Sequence, residues 1–200
     1  MDLLTAIRSR RSLRRFAERP VSDDIVRELV ALACAAPAPH HTRPWRFTLV
    51  RPETRARLAT AMTEAWRRDL TADGEVPQRI ETLLERSRRR IEGAPALLLA
   101  GLSLAGARQW PDERRRTAER DMFVQSLGAA LQNLALAAQE RGLGCCVLGS
   151  PLFCAPAVSE ALSLPADVEP LFLVMLGYPS AGHEAAPRES LPLADVLSER

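Results

Sequence analysis

Six arginines crowd residues 8–19 of this 200-residue chain, and a serine lies among them. Arg10, Ser12 and Arg14 alternate, so in an extended segment all three side chains point the same way. Two guanidiniums and a hydroxyl on one face would bind a phosphate monoester, because the planar fork of arginine binds phosphate in a bidentate way. A solvated basic turn is the alternative interpretation. A nucleic-acid surface is disfavoured, since no aromatic stacking platform accompanies the arginines and the net charge is only +2.

A proline- and histidine-rich loop, P-A-P-H-H-T-R-P-W-R-F, covers residues 37–47. Its three prolines stiffen the backbone, which helps a loop to keep its shape against a ligand or a partner subunit. His40 and His41 could ligate a metal, but neighbouring side chains in an extended loop diverge and no Asp, Glu or Cys lies at ligand spacing. We therefore predict no metal site, and we expect Trp45 and Phe47 to lie in the core.

A third candidate is the stretch R-G-L-G-C-C-V-L-G-S-P, residues 141–151. A helix should stop at Gly142, a buried strand should run to Leu148, and Gly149-Ser150-Pro151 should turn sharply. A glycine at the end of a strand lets backbone N–H groups approach a ligand closely, although a plain tight turn is the alternative. Farther along, Arg188 in an irregular tail could reach back to an anion or be a surface arginine.

Protein groups that could carry a reaction by themselves are not evident. No Ser–His–Asp arrangement, carboxylate pair or metal cluster stands out, and because all 27 basic residues are arginine, a lysine base is excluded. The four cysteines form no C-x-x-C pair and are expected to be buried thiols. If the protein is an enzyme, a cofactor therefore carries the chemistry, and no side chain is predicted to be catalytic by itself.

The periodicity of apolar residues predicts a single α+β domain over residues 1–200, with a central mixed β-sheet flanked by helices. The predicted helices cover residues 2–9, 23–35, 53–69, 77–92, 113–141 and 155–162, and the predicted strands cover 47–50, 95–102, 145–148 and 171–176. The helix 113–141 is long and apolar for so small a domain, which indicates a core shared with a second subunit. No secretory signal or membrane span is recognised, so we expect a cytoplasmic protein.

Four motifs occur in a fixed order: R-R-S-x-R-x-F from Arg10, P-x-x-x-x-x-x-P-W from Pro37, G-L-G-x-C-x-x-G from Gly142, and L-G-Y-P followed by a tail arginine. Because the four motifs occur in this order, the chain resembles the FMN-dependent nitroreductase family over nearly its whole length. The resemblance implies a nitroreductase-like fold, an intertwined homodimer and FMN held between the subunits, with flavin N5 carrying the chemistry.

The resemblance also assigns residues to the cofactor. The N-terminal segment would bind the FMN phosphate, ribityl chain and pyrimidine edge, the proline-rich loop would come from the partner subunit, and the Gly-Ser turn would face flavin N5. His41 stands where the family usually has Asn, and Arg43 where it often has Gln. The implied cofactor-binding residues are Arg10, Arg11, Ser12, Arg14, Pro37, Ala38, Pro39, His41, Arg43, Gly149, Ser150 and Arg188.

Several segments, most specifically A-P-H-H-T-R-P, resemble the C-terminal flavin domain of the bacterial bifunctional enzyme of coenzyme F420 biosynthesis. That resemblance implies hydride transfer from reduced FMN to dehydro-F420-0, an anionic precursor, with His40, Arg43, Arg46 and Arg67 as candidate substrate contacts. The glutamate ligase part of that enzyme is not found here. The alternatives are a generic NAD(P)H-dependent nitroreductase or ene-reductase, a non-enzymatic flavin carrier or sensor, and a nucleic-acid-binding protein. We expect binding to neither nucleic acid nor membrane.

Overall fold

Helices and strands alternate along the chain, and the computed structural model describes residues 1–182 and 191–200. The six α-helices are α1 (Leu3–Ser9), α2 (Asp23–Ala33), α3 (Pro52–Ala72), α4 (Pro77–Glu92), α5 (Glu113–Glu140) and α6 (Ala155–Leu162). The four strands are β1 (Trp45–Leu49), β2 (Ala96–Ser103), β3 (Gly144–Leu148) and β4 (Val168–Gly177). Single 3-10 turns occupy Pro39–His41, Ser150–Phe153 and Leu193–Asp195. Every predicted helix and strand is confirmed, with boundaries that differ by three residues at most.

Local sequence signals explain where the helices begin and end. Ser22 caps α2 by accepting a hydrogen bond from the Ile25 N–H at 3.4 Å, and Asp112 caps α5 by accepting from the Arg115 N–H at 2.9 Å. Helices α3 and α4 each begin with a proline at the first helical position. Gly142 follows α5 with a φ of 69°, the left-handed conformation that commonly terminates a helix.

The sheet has the strand order β1-β2-β4-β3, and all three strand pairings are antiparallel. A mixed sheet was predicted; among residues 1–182 and 191–200 the four strands pair antiparallel, and the parallel pairing is one isolated bridge between Ser12 and Cys145 at the β3 edge. Strand β2 lies inside the sheet and is buried along its whole length, as the continuous apolar run 95–102 predicted.

Helices cover both faces of the sheet. On one face α2 and α5 pack on β2 and β4, and the apolar stripe of α5 is fully buried at Phe123, Leu127 and Leu134. On the other face α3 and α6 pack on the sheet, with α4 lying beside α3 as the second arm of a helical hairpin. This second face carries the candidate functional site described below.

The arginine-rich segment is held at the open edge of β3 by close packing. Leu13 is buried, and its N–H donates to the Cys145 carbonyl at 3.0 Å. A Cβ atom at Gly144 would collide with the Leu13 side chain, so glycine is required for the segment to lie this close. The buried position of Leu13 leaves Ser12 and Arg14 exposed on either side of it.

Large apolar side chains remain exposed on α1, namely Leu3, Leu4 and Ile7, and near the C-terminus at Leu193, Val196 and Leu197. Helix α1 packs beside α5, so these side chains extend the surface of the long helix. In the part of the chain that the structure describes, no helix is both long and apolar enough to cross a membrane.

Candidate functional site

A cationic cavity of about 470 Å³ opens between the arginine-rich segment and α4. Arg14 and Phe16 line it from one side, and Arg86, Arg89 and Arg90 line it from the other. The three α4 arginines share one helix face because they are spaced by three and four residues. The helix buries its opposite, apolar face through Ile80, Leu84 and Ile91. The amphipathic pattern of α4 therefore turns its positive charge toward the cavity.

Arg14, Arg86 and Arg90 take part in none of the ion pairs within residues 1–182 and 191–200, whereas Arg89 pairs with Glu85 at 2.8 Å. Burial lowers the pKa of Arg90, and the positive charges of Arg86 and Arg14 lower it further. Uncompensated like charges repel one another, so an anion in this cavity would relieve the repulsion. The cavity thus has the electrostatics of an anion site.

Two of these arginines meet at a buried thiol. Burial raises the pKa of Cys146, while Arg14 and Arg90 oppose that shift through their positive charges. Cys146 lies on the helical-hairpin face of the sheet, so Arg14 and Arg90 are brought together over the edge of β3. Burial also raises the pKa of neighbouring Cys145, to about 12, so neither thiol is ionised near neutral pH.

A second cavity, of about 600 Å³, adjoins the first and shares Arg86 and Arg90 with it. Its walls are mainly apolar, and its floor is the turn that follows β3. Trp66 lines this cavity and is 37% exposed. The other apolar and turn residues that line the cavity are Met62, Leu83, Ile91, Leu148, Gly149, Ser150, Phe153 and Cys154.

The predicted phosphate segment is only partly assembled around the cationic cavity. Arg14 lines this cavity and Ser12 is exposed beside it, whereas Arg10 ends α1 and is half-buried. Arg11 folds back on α1, where its guanidinium donates to the carbonyls of Arg8 at 2.7 Å and Arg10 at 3.0 Å. Of the four predicted residues, Arg14 has the clearest access to a ligand in the described structure.

The proline-rich loop has an unusual backbone. His40, His41 and Arg43 have φ values of 52°, 55° and 49°, in the left-handed region that residues other than glycine rarely adopt. Such strain costs energy and persists only where surrounding contacts over-determine the conformation. Thr42 supplies one contact by donating from its hydroxyl to the Pro39 carbonyl at 2.8 Å.

Two residues of α5 anchor this loop. Glu119 is 4% exposed, and its carboxylate accepts from the Arg108 N–H and from the Trp110 indole, each at 3.1 Å. His40 Nε2 lies 3.5 Å from the same carboxylate. These hydrogen bonds lower the pKa of Glu119, with a smaller contribution from His40. At the start of the loop, the Ser126 hydroxyl donates to the Pro37 carbonyl at 2.6 Å.

The remaining predicted site residues are dispersed. Gly149 and Ser150 form the floor of the apolar cavity. Arg46 folds onto its own backbone, donating to the carbonyls of Arg43 at 3.2 Å and Trp45 at 2.9 Å. Arg67 forms a bidentate pair with Glu81 between the two helices of the hairpin. Arg188 lies outside the described residues.

Arg86 and Arg90 of α4, and Glu119 and Ser126 of α5, were not predicted as functional. The i, i+4 spacing of the two α4 arginines is visible in the sequence, but a charged helix face usually faces solvent. The alignment of that face with Arg14 is a tertiary property. Among the described residues, no group of three or more His, Cys, Asp and Glu side chains is placed to hold a metal ion.

The chain is similar in sequence to known proteins. The family model described as the nitroreductase family matches residues 7–178. A nitrobenzene nitroreductase from Ectopseudomonas oleovorans is 31% identical over 184 residues, which cover 80% of this chain and 79% of that protein. The family-model match spans the arginine-rich segment, the residues that line both cavities and the α3–α4 hairpin.

Solved structures share the fold. A BluB-like flavoprotein from Clostridium difficile 630 superposes with a TM-score of 0.81 at 23% identity, covering 100% of this chain and 99% of that one. An FMN- and NADPH-dependent nitroreductase from Sphingopyxis sp. strain HMH has a TM-score of 0.75 at 20% identity, covering 100% and 99%. Because the family model matches residues 7–178 of the 200 residues, the chain belongs to the nitroreductase family.

Proposed function

We propose that this protein is an FMN-dependent oxidoreductase that transfers hydride to a small anionic substrate. The observation that carries the proposal is the joined pair of cavities beside α4. One holds three arginines that have no carboxylate partner within the described residues, and the other is apolar and ends at the Gly149–Ser150 turn. The proteins that this chain is similar to include a nitrobenzene nitroreductase and an FMN- and NADPH-dependent nitroreductase.

The residues present fit FMN, which combines a phosphate, a polar pyrimidine edge and a planar apolar ring. Arg14 and Arg90 supply positive charge toward an anion or an electron-rich ring edge. Gly149 and Ser150 line the apolar cavity, and a glycine at this turn lets a flat ring approach the backbone closely. Arg10, Arg11 and Ser12 complete the proposed cofactor segment, and Arg188 is proposed to join it from the C-terminal part of the chain.

Bound FMN would supply hydride at N5 once a nicotinamide donor has reduced it. The chain's own residues bind and orient the cofactor: Arg14 and Arg90 stabilise negative charge in the cavity, and the turn at Gly149 and Ser150 limits how deeply a planar ring can enter. Walls of Trp66 and Met62 reduce the water in the apolar cavity, which strengthens electrostatic interactions there.

The cofactor is proposed to be shared by a homodimer. The apolar side chains of α1 would be covered by the second subunit, as would the surface of α5 beside them. The loop of Pro37, Ala38, Pro39, His41 and Arg43 would reach the partner's flavin. Its strained backbone, anchored by Glu119 and Ser126, has the rigidity that such a loop requires.

The finer proposal is reduction of dehydro-F420-0 to F420-0. It is supported by the sequence A-P-H-H-T-R-P from Ala38 to Pro44 and by the cationic cavity, since the precursor carries a phosphodiester and an enolpyruvyl carboxylate. Hydride would add to one alkene carbon and a proton to the other. His40, Arg43 and Arg46 stay candidate contacts for the carboxylate, whereas Arg67 would first have to release Glu81.

The first experiment is the absorbance spectrum of the purified protein, with mass identification of the released ligand. About one FMN per subunit is expected, followed by oxidation of the reduced protein when the F420 precursor is added. Rapid turnover with NADPH and nitroarenes, but no turnover with the precursor, would reject the F420 proposal and show that the protein is a generic nitroreductase. Failure to bind FMN even after reconstitution would overturn the proposed function.

A further inference from the structure

We propose that the cationic cavity holds a phosphate site that is separate from FMN, with Arg86 and Arg89 of α4 as the residues that bind the phosphate. The phosphate group belongs either to the electron donor or to the oxidising substrate. The inference rests on the proposed function, because it takes the flavin to be bound already through the arginine-rich segment. It goes further by assigning a second anion site and the chemical class of its ligand.

The charged side chains that line the cationic cavity in the described chain are all positive. They are four arginines, and no aspartate or glutamate of the described residues lines this cavity. Asp69 and Asp73 line the adjoining apolar cavity instead. Burial lowers the pKa of Arg90, and Arg86 and Arg14 lie close enough for their positive charges to lower it further. An anion that enters the cationic cavity would therefore be attracted from both of its walls.

The amount of positive charge favours a phosphate-bearing ligand over a simple carboxylate. Three of the four arginines have no ion-pair partner in the described chain, and the fourth, Arg89, pairs with Glu85 at the surface, where both side chains are more than half exposed. Such an exposed pair contributes little free energy, so Arg89 can exchange Glu85 for a ligand. A phosphate monoester carries about two negative charges at neutral pH and offers three oxygens to arginine forks. A single carboxylate would leave most of the positive charge uncompensated.

The site is distinct from the part of the arginine-rich segment assigned to the FMN phosphate. This segment crosses the edge of β3, where Ser12 is bridged to Cys145. Cys145 lies in the core on the α2–α5 face; burial raises the pKa of its thiol, and the positive charge of Arg10 opposes that rise. Cys146 lies in the core on the hairpin face, and there the opposing charge comes from Arg14. Arg10 therefore lies nearer the α2–α5 face and does not line the cationic cavity.

Helix α4 presents the two proposed binding residues side by side. Arg86 and Arg89 are three residues apart, so they are neighbours on the helix surface, and both are exposed. The buried Arg55 fixes the end of this helix by donating hydrogen bonds to the carbonyls of Glu92 and Ala94. Two guanidiniums that project from one anchored helix face can bind the same phosphate group.

The test is calorimetric titration of the oxidised, FMN-loaded protein with inorganic phosphate and with acetate at constant ionic strength. Wild type should bind phosphate more tightly than acetate, because acetate carries a single charge. Arg86→Gln and Arg89→Gln should each weaken phosphate binding by about tenfold, the effect of losing one charged hydrogen bond. Glu85→Gln should strengthen phosphate binding, because Arg89 is then released from its carboxylate partner.

Arg88→Gln is the matched control, because it removes the same charge from the same helix at a residue that lines neither cavity. It should leave the phosphate affinity unchanged, and the FMN content of each variant is measured in parallel. Unchanged phosphate affinity in both Arg86→Gln and Arg89→Gln would overturn the inference. Phosphate binding that disappears once FMN is loaded would also overturn it, since the cavity would then hold the phosphate of FMN itself and the proposed function would stand.

Inhibition of turnover by inorganic phosphate identifies the reactant that carries the phosphate group. Competition with NADPH but not with NADH would place it on the electron donor, as the 2′-phosphate that distinguishes these two compounds. Competition with the F420 precursor would place it on the oxidising substrate. Competition with neither reactant would overturn the inference. If the protein binds no FMN, the proposed function fails, and titration of the flavin-free variants still decides whether Arg86 and Arg89 bind phosphate.

Discussion

The carboxylate of Glu119 lies 3.5 Å from His40 Nε2, so a buried acid of α5 contacts a residue of the proline-rich loop that has a left-handed backbone. The same carboxylate binds the backbone N–H of Arg108 and the indole of Trp110. Glu119 therefore joins two loops that are far apart in sequence to one helix. In the proposed dimer, this contact would set the position of the loop that reaches the partner's flavin.

Glu119→Gln should destabilise the protein at neutral pH, with a difference that disappears in acid. Because hydrogen bonds lower the folded-state pKa of Glu119, its stabilisation is present above the ordinary value of 4.5 and is lost as the pH falls through the lower, folded value. The measurement is the melting temperature of wild type and variant from pH 7 to pH 3. Glu113→Gln, in the first turn of the same helix, is the control. A difference that is constant over this range would show that the charge of Glu119 is not what anchors the loop.

Arg14→Ala should weaken FMN binding by about 1.5–3 kcal/mol, the range for a hydrogen bond to a charged group. The physical reason is that Arg14 lines the cationic cavity without a carboxylate partner in the described chain. Fluorescence titration of the flavin-free protein with FMN gives the dissociation constant. Arg15→Ala is the neighbouring control, since Arg15 is exposed and lines neither cavity. An unchanged FMN affinity for Arg14→Ala would remove this residue from the site.

Gly144→Ala should lower the free energy of unfolding by about 1–3 kcal/mol, the usual cost of overpacking a tight site. The added Cβ would push Leu13 and the arginine-rich segment away from β3, so FMN should bind more weakly as well. Chemical denaturation and FMN titration measure the two effects. A double variant, Leu13→Ala with Gly144→Ala, should show less than the sum of the single losses because the collision is relieved. Strict additivity would mean that the two residues do not compete for space.

Leu4→Arg should convert the proposed dimer to a monomer. Leu4 is exposed on α1, and a buried arginine without a partner would oppose association. Light scattering during gel filtration should report twice the 22.0 kDa of one chain for wild type and the single-chain mass for the variant. Val76→Arg, which alters an exposed apolar residue before α4, should remain dimeric. A dimeric Leu4→Arg protein would place the subunit interface elsewhere.

The sequence by itself determined the secondary structure and much of the core. Strong local signals set the helices, such as the Ser22 cap of α2 and the proline at the start of α4, and the uninterrupted apolar run 95–102 identified β2 as a buried strand. The alternation of Arg10, Ser12 and Arg14 also indicated an anion site. These features depend on the spacing of residues that are close together in the sequence. That spacing can be read from the sequence without knowledge of the fold.

Only the tertiary structure decided which charges face each other. Packing α4 against α3 turns Arg86 and Arg90 toward Arg14, although more than 70 residues separate them in the chain, and it opens the cavity that leaves Trp66 exposed. The contact between Glu119 and His40 likewise joins α5 to a distant loop. A charged residue on a helix can face solvent or a cavity with the same local pattern. The choice is made by the burial of the opposite face, which depends on the whole chain.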